Sequence, residues 1–92
     1  MSALIPQAIA LHRAHRVAEA KAIYERVLAE NPNDFDALHL LGVVAQQEKD
    51  FERSRALIER AIQINPQHGS AYNNLGNTLK EMGLLEPAVH QF

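Results

Sequence analysis

Asn31-Pro32-Asn33-Asp34 and, 34 residues further on, Asn65-Pro66-Gln67-His68 are the two stretches on which the fold of this chain turns. Proline lacks a backbone donor and pushes the residue before it away from helical geometry, so each Asn-Pro ends the helix that precedes it. A true period must be obeyed elsewhere. Shifting the chain by the same offset pairs Ala3 with Ala37, Leu4 with Leu38, Ala22 with Ala56, Glu25 with Glu59 and Arg26 with Arg60, beside the two Asn-Pro pairs. Average composition gives roughly two such identities by chance. The next shift pairs Ala37 with Ala71, Leu41 with Leu75, Gly42 with Gly76 and Glu52 with Glu86. Apolar character repeats even where identity fails, at Val17, Phe51 and Leu85 and again at Tyr24, Ile58 and Phe92.

The 92 residues therefore divide into units 1–34, 35–68 and 69–92, about 2.7 repeats in one array, with the last helix truncated. Each unit reads as two helices. Ala37, Leu38, Leu41, Gly42 and Ala45 make one apolar stripe over 34–48, and Phe51, Leu57, Ile58, Ala61 and Ile62 a second over 51–64. Lys49-Asp50 takes the turn between them, with His15-Arg16 and Gly83-Leu84 at the matching places. Of these only Gly83 is suited to the left-handed conformation that ends a helix, so His15 and Lys49 would hold it under strain. Asn33 or Asp34, and Ser70, are candidate caps for the helices that follow the Asn-Pro pairs. Pro6 shortens the first helix to about 5–14, and Pro87 sits in the first turn of the last one. Small residues recur too: Ala8, Gly42 and Gly76 share one repeat position, Ala20, Ser54 and Ala88 another. They leave room for Tyr24, Ile58 and Phe92 and mark a close helix–helix approach.

Apolar residues make up 47% and charged ones 22%, which places the chain among folded rather than disordered sequences. The absence of cysteine removes disulfides and thiolate chemistry and suits a reducing, cytoplasmic setting. A net charge of −2 with mixed signs offers no basic stripe for nucleic acid. Arg13 and Arg16 follow the opening apolar run, the reverse of a secretory signal. No stretch reaches the ~18 apolar residues of a membrane span.

These residues resemble the tetratricopeptide repeat family. Tyr72-Asn73-Asn74-Leu75-Gly76 with Leu79, Gly83, Ala88 and Phe92 carries the fullest likeness; Leu38, Leu41-Gly42, Ile58, Ala61 and Pro66 carry it in the second unit, and Leu4, Ala8, Leu11, Ala20, Tyr24 and Pro32 in the first. Gln7 stands where the family has leucine. The resemblance implies an all-α fold in which helix–turn–helix repeats stack as a right-handed α-solenoid. More narrowly, the run from Ala71 to Gly83 resembles repeats that precede the catalytic domain of O-linked N-acetylglucosamine transferases and bacterial proteins like them. In those repeats an asparagine ladder holds peptide backbone. Asn74 matches a ladder position, whereas its repeat-mates are Pro6 and Leu40. The carboxylate clamp known in other members is not matched: Ile5, Ile9, Leu40, Ser70 and Asn74 occupy its positions and supply no cation.

Family geometry, carried over, turns Ser2, Ile5, Ile9 and His12, then Asp36, His39, Val43 and Gln46, then Ser70, Asn73, Asn77 and Lys80 toward the concave face, with Asn74 beside them. Such a groove runs from apolar to amide-rich and suits a partner peptide or helix with an apolar anchor and a polar flank. His12 and His15 share a helical face but lack the third and fourth ligands zinc requires. Ser2, Ser54 and Ser70 lie at a terminus, a packed position and a cap without an adjacent base, and the four glycines form no phosphate loop, so no catalysis and no cofactor are expected. Leu85, Val89 and Phe92 would face a missing neighbour, which predicts self-association of the isolated chain into a homo-oligomer. The functional expectation is a non-catalytic protein-interaction module. Its alternative is an N-terminal, substrate-presenting segment of a larger glycosyltransferase-like enzyme.

Overall fold

A computed structural model describes residues 4–83. They form five helices, α1 Leu4–Arg13, α2 Val17–Glu30, α3 Phe35–Gln47, α4 Phe51–Ile64 and α5 Gly69–Glu81, with no strand among the described residues. The chain is a helical-repeat solenoid. Its extents of 40 × 25 × 18 Å are those of hairpins laid side by side.

The turns explain why the hairpins repeat. His15, Lys49 and Gly83 take φ of 63°, 65° and 74°. After α1, the Arg16 amide donates to the Leu11 carbonyl at 2.9 Å and His15 to His12 at 3.1 Å; after α3, Asp50 donates to Ala45 at 2.8 Å and Lys49 to Gln46 at 3.0 Å. This paired pattern is the Schellman closure, which satisfies carbonyls the helix would otherwise leave open. Left-handed backbone costs a non-glycine residue about 1–2 kcal/mol. Two hydrogen bonds per turn offset that strain at His15 and Lys49.

The asparagine of each Asn-Pro has its own task. Asn31 Oδ1 accepts from the Asn33 amide at 3.2 Å, and Asn65 Oδ1 from the Gln67 amide at 3.3 Å. These Asx turns carry the chain around the proline. Asp34 then caps α3, its carboxylate accepting from the Ala37 amide at 3.0 Å. Asp34→Ala is expected to lower stability by about 1 kcal/mol, read as a shift of the urea midpoint at unchanged slope. Ser70 does not cap α5, contrary to expectation. The Asn65-Pro66 turn places the cap position at His68, whose side chain makes no capping bond, and Ser70 falls second in the helix.

Packing follows the small and large positions. Ile5, Ala8, Ala20, Tyr24, Val27, Ala37, Leu41 and Val44 form one buried cluster joining α1, α2 and α3. Gly42 lies so close to α4 that a Cβ there would stand 2.5 Å from Ile58 Cγ1. At the next joint the buried hydroxyls of Ser54 and Thr78 meet at 3.0 Å, linking α4 to α5. Between units, Lys21 pairs with Glu48 at 3.0 Å, Glu25 with Arg53 at 3.1 Å, and Arg60 donates to the Pro32 carbonyl at 2.9 Å. Such exposed pairs contribute tenths of a kcal/mol, so they fix register more than they hold the stack.

Candidate functional site

Helices α1 and α3 each open a hairpin, and α5 follows the second hairpin. Two side-chain bonds join them. His12 Nε2 donates to Gln47 Oε1 at 2.7 Å, and the Asn74 amide donates to His39 Nε2 at 2.7 Å. Both span 35 residues, one period plus one, because neighbouring first helices are offset by a single residue along the stack. Gln47, which the sequence reading missed, is identified by its contact with His12 and by no local pattern.

The expected groove residues fall into three groups. Ile9 and His12 are half-buried and, with Arg13, Tyr24 and Leu40, line a depression of about 380 Å³ between α1, α2 and α3. Val43 and Gln46 are half-buried and, with Gln47, Lys49, Phe51 and Glu81, line a second of about 330 Å³. On α5, Asn73, Asn77 and Lys80 are exposed and Asn74 is half-buried. Two expectations need correction. Ile5 is 1% exposed and belongs to the core, because α1 begins at Leu4 and packs Ile5 into the cluster shared with α2 and α3. His39 is buried, at 7% exposure, its ring engaged by Asn74. Ser2, Leu85, Val89 and Phe92 lie outside the described residues.

His39, expected along the groove, and His68, to which the sequence reading assigned no role, are brought together. Their ring centroids are 5.4 Å apart, edge to face, and Phe35 stands 4.8 Å from His68 and 5.7 Å from His39. Phe35 and His39 are one turn apart on α3, and the cap position of α5 delivers His68 to them. Burial is the main reason the His39 imidazole titrates below its ordinary range; the neighbouring His68 lowers it further, and Asp36 partly opposes both. His68 Nδ1 is buried with no hydrogen-bond partner among the described residues. Among the described residues no three His, Cys, Asp or Glu side chains gather as metal ligands. Nor does any helix among them have the length and apolarity to cross a membrane.

Stacked helical hairpins whose first helices line a shared face, with half-buried apolar, imidazole and amide groups along it, define a helical-repeat interaction module. The sequence profile of the tetratricopeptide repeat family matches residues 11–75. The chain belongs to that family.

The chain is 39% identical over 70 residues to UDP-N-acetylglucosamine–peptide N-acetylglucosaminyltransferase of Caenorhabditis elegans, covering 76% of this chain and 6% of that protein. It is 29% identical over 84 residues to a probable enzyme of the same name from Arabidopsis thaliana, covering 88% of this chain and 9% of the other. Among solved structures it superposes with a TM-score of 0.90 and 31% identity on a mutant O-GlcNAc transferase of Thermobaculum terrenum, over 96% of this chain and 17% of that one. The chain thus spans less than a tenth of these two curated relatives.

Proposed function

We propose that units 1–34, 35–68 and 69–92 form one array whose first-helix face binds a segment of a partner protein and performs no chemistry on it. The observation that carries this reading is the pair of depressions that residues of α1 and α3 help to line, together with the exposed amides and ammonium on α5. Ile9, Leu40 and Val43 offer apolar seats, and Gln46, Asn73, Asn77 and Lys80 offer donors and acceptors to a peptide backbone. Apolar anchors with flanking amides are how such surfaces hold extended peptides, since every peptide unit brings one donor and one acceptor. The cysteine-free composition supports a cytoplasmic setting.

Selection of displayed random peptides against the chain tests this. The triple variant Asn73→Ala, Asn77→Ala, Lys80→Ala alters exposed side chains only and is expected to fold while losing at least about tenfold in affinity for the enriched peptides, near 1.4 kcal/mol. Equal capture by the variant would refute the proposed face.

A second reading is favoured by the relatives: the array presents protein substrates to a glycosyltransferase active site in a larger protein. The two curated relatives are named as peptide N-acetylglucosaminyltransferases. Peptides enriched by the chain should then be enriched also as acceptors of the Thermobaculum enzyme. An acceptor rate no better than that of unselected peptides argues against presentation and leaves the plain binding module.

A further inference from the structure

We infer that His39 and His68 form a proton-operated latch at the joint of α3 and α5, which sets the hydrogen-bonding edge that Asn74 offers to the groove. The inference rests on the proposed peptide face only for its consequence, the latch itself being a property of the free chain.

In the structure Asn74 Nδ2 lies 2.7 Å from His39 Nε2. An amide nitrogen has only protons to give, so Nε2 is the unprotonated nitrogen of a neutral ring. Asn74 is half-buried and its Oδ1 is left for another donor. When a proton from solvent binds His39 Nε2, two donors face each other at hydrogen-bond distance. Rotation about the last side-chain bond of Asn74 relieves this, bringing Oδ1 to the new N–H and turning the NH₂ outward. The edge shown to a ligand changes from acceptor to donor without movement of either helix.

The surroundings make that protonation a switch instead of a passive titration. The imidazolium would stand 5.4 Å from the His68 ring, in a site closed by Phe35. It would also lie near the start of α5, which begins at Gly69 directly after His68, where the helix end carries partial positive charge. Asp36, one turn earlier on α3, is the group that favours the cation. Charges on the other packed elements are engaged elsewhere: Lys21 with Glu48, Glu25 with Arg53, Glu52 with Arg55, and Arg60 with the Pro32 carbonyl. Glu59 is exposed, and Lys80 and Glu81 stand at the far end of α5.

Burial first, and His68 second, hold the folded His39 below its ordinary value, whereas the unfolded chain titrates it near the ordinary value of about 6.5. The unfolded state therefore gains its proton first as pH falls. The stability that neutral His39 contributes is full above the unfolded value and is lost as pH drops toward the folded one.

The test uses the whole chain without peptide, so its failure is separable from failure of the proposed face. Nuclear magnetic resonance between about pH 7.5 and about pH 5 should show His39 titrating below the ordinary histidine range. In step with it, the Asn74 side-chain amide protons should lose their cross-relaxation with the His39 ring. In parallel, the native Tm should fall by at least ~4 °C over that interval, and by less than half as much in His39→Gln, whose amide keeps an acceptor for Asn74 but does not titrate. Asn74 signals that ignore the His39 titration, or the same Tm decrease in both proteins, would overturn the latch. If His39→Gln does not fold, the Asn74 signals of the native chain decide alone.

Discussion

Tyr24→Ala is expected to cost about 3–5 kcal/mol, while Tyr24→Phe leaves stability unchanged or raises it by about 1 kcal/mol. Tyr24 is the largest fully buried side chain, and its ring stands in the cluster that joins α1, α2 and α3. Truncation would open a cavity in the apolar cluster that ties the first hairpin to the second. Its hydroxyl contributes differently, being buried with no hydrogen-bond partner among the described residues. Removing an unsatisfied hydroxyl takes away a desolvation penalty and no bond. Burial also raises the phenol's pKa, so the native fold loses stability as pH rises beyond about 10, where the unfolded chain ionises first. Denaturant titration of the three proteins checks the ordering, and a Tyr24→Phe loss as large as that of alanine would show the hydroxyl to be bonded.

The second large effect is expected at Gly42. Alanine there gains about 1 kcal/mol in helix propensity, yet its Cβ would meet Ile58 Cγ1 at 2.5 Å and Cδ1 at 3.2 Å. Cγ1 is the inner part of a side chain with no exposure, so it cannot swing clear. Overpacking a closed contact costs about 1–3 kcal/mol. Gly42→Ala should therefore be destabilising on balance and Gly42→Val more so. Shortening the opposing side chain should relieve the clash, so Ile58→Ala should cost less in the Gly42→Ala background than alone. A double-mutant cycle measures this coupling; additive losses would place Gly42 away from Ile58.

Both contacts were legible as pattern before they were visible as geometry. Small Ala8 and Gly42 and bulky Tyr24 and Ile58 recur at one spacing, and a spacing that repeats in a helical hairpin has to be a packing contact. The turns were legible for a similar reason, because backbone hydrogen bonding is local: His15 and Lys49 take the left-handed conformation that Gly83 suggested for their shared position. Ser70 was misread because its capping chemistry is good but its register is set by Asn65-Pro66, four residues earlier. A side-chain preference loses to a turn that has already fixed where the helix begins.

The candidate site was less legible. Ile9, His12, Val43 and Gln46 line the two depressions, whereas Ile5 went into the core and His39 is buried against Asn74. Whether a position on the inner side of a first helix is open or covered depends on the neighbouring unit, and no local pattern carries that. The sequence by itself determined the period and, among the described residues, the five helical stretches and the prolines that end two of them, since these follow from backbone dihedrals, proline's missing donor and helical spacing of apolar residues. The tertiary structure alone decided that His12 meets Gln47, that Asn74 reaches His39, and that the rings of His39, His68 and Phe35 meet. Those partners come from different helices, and the one-residue offset between stacked units that brings them together is a product of packing.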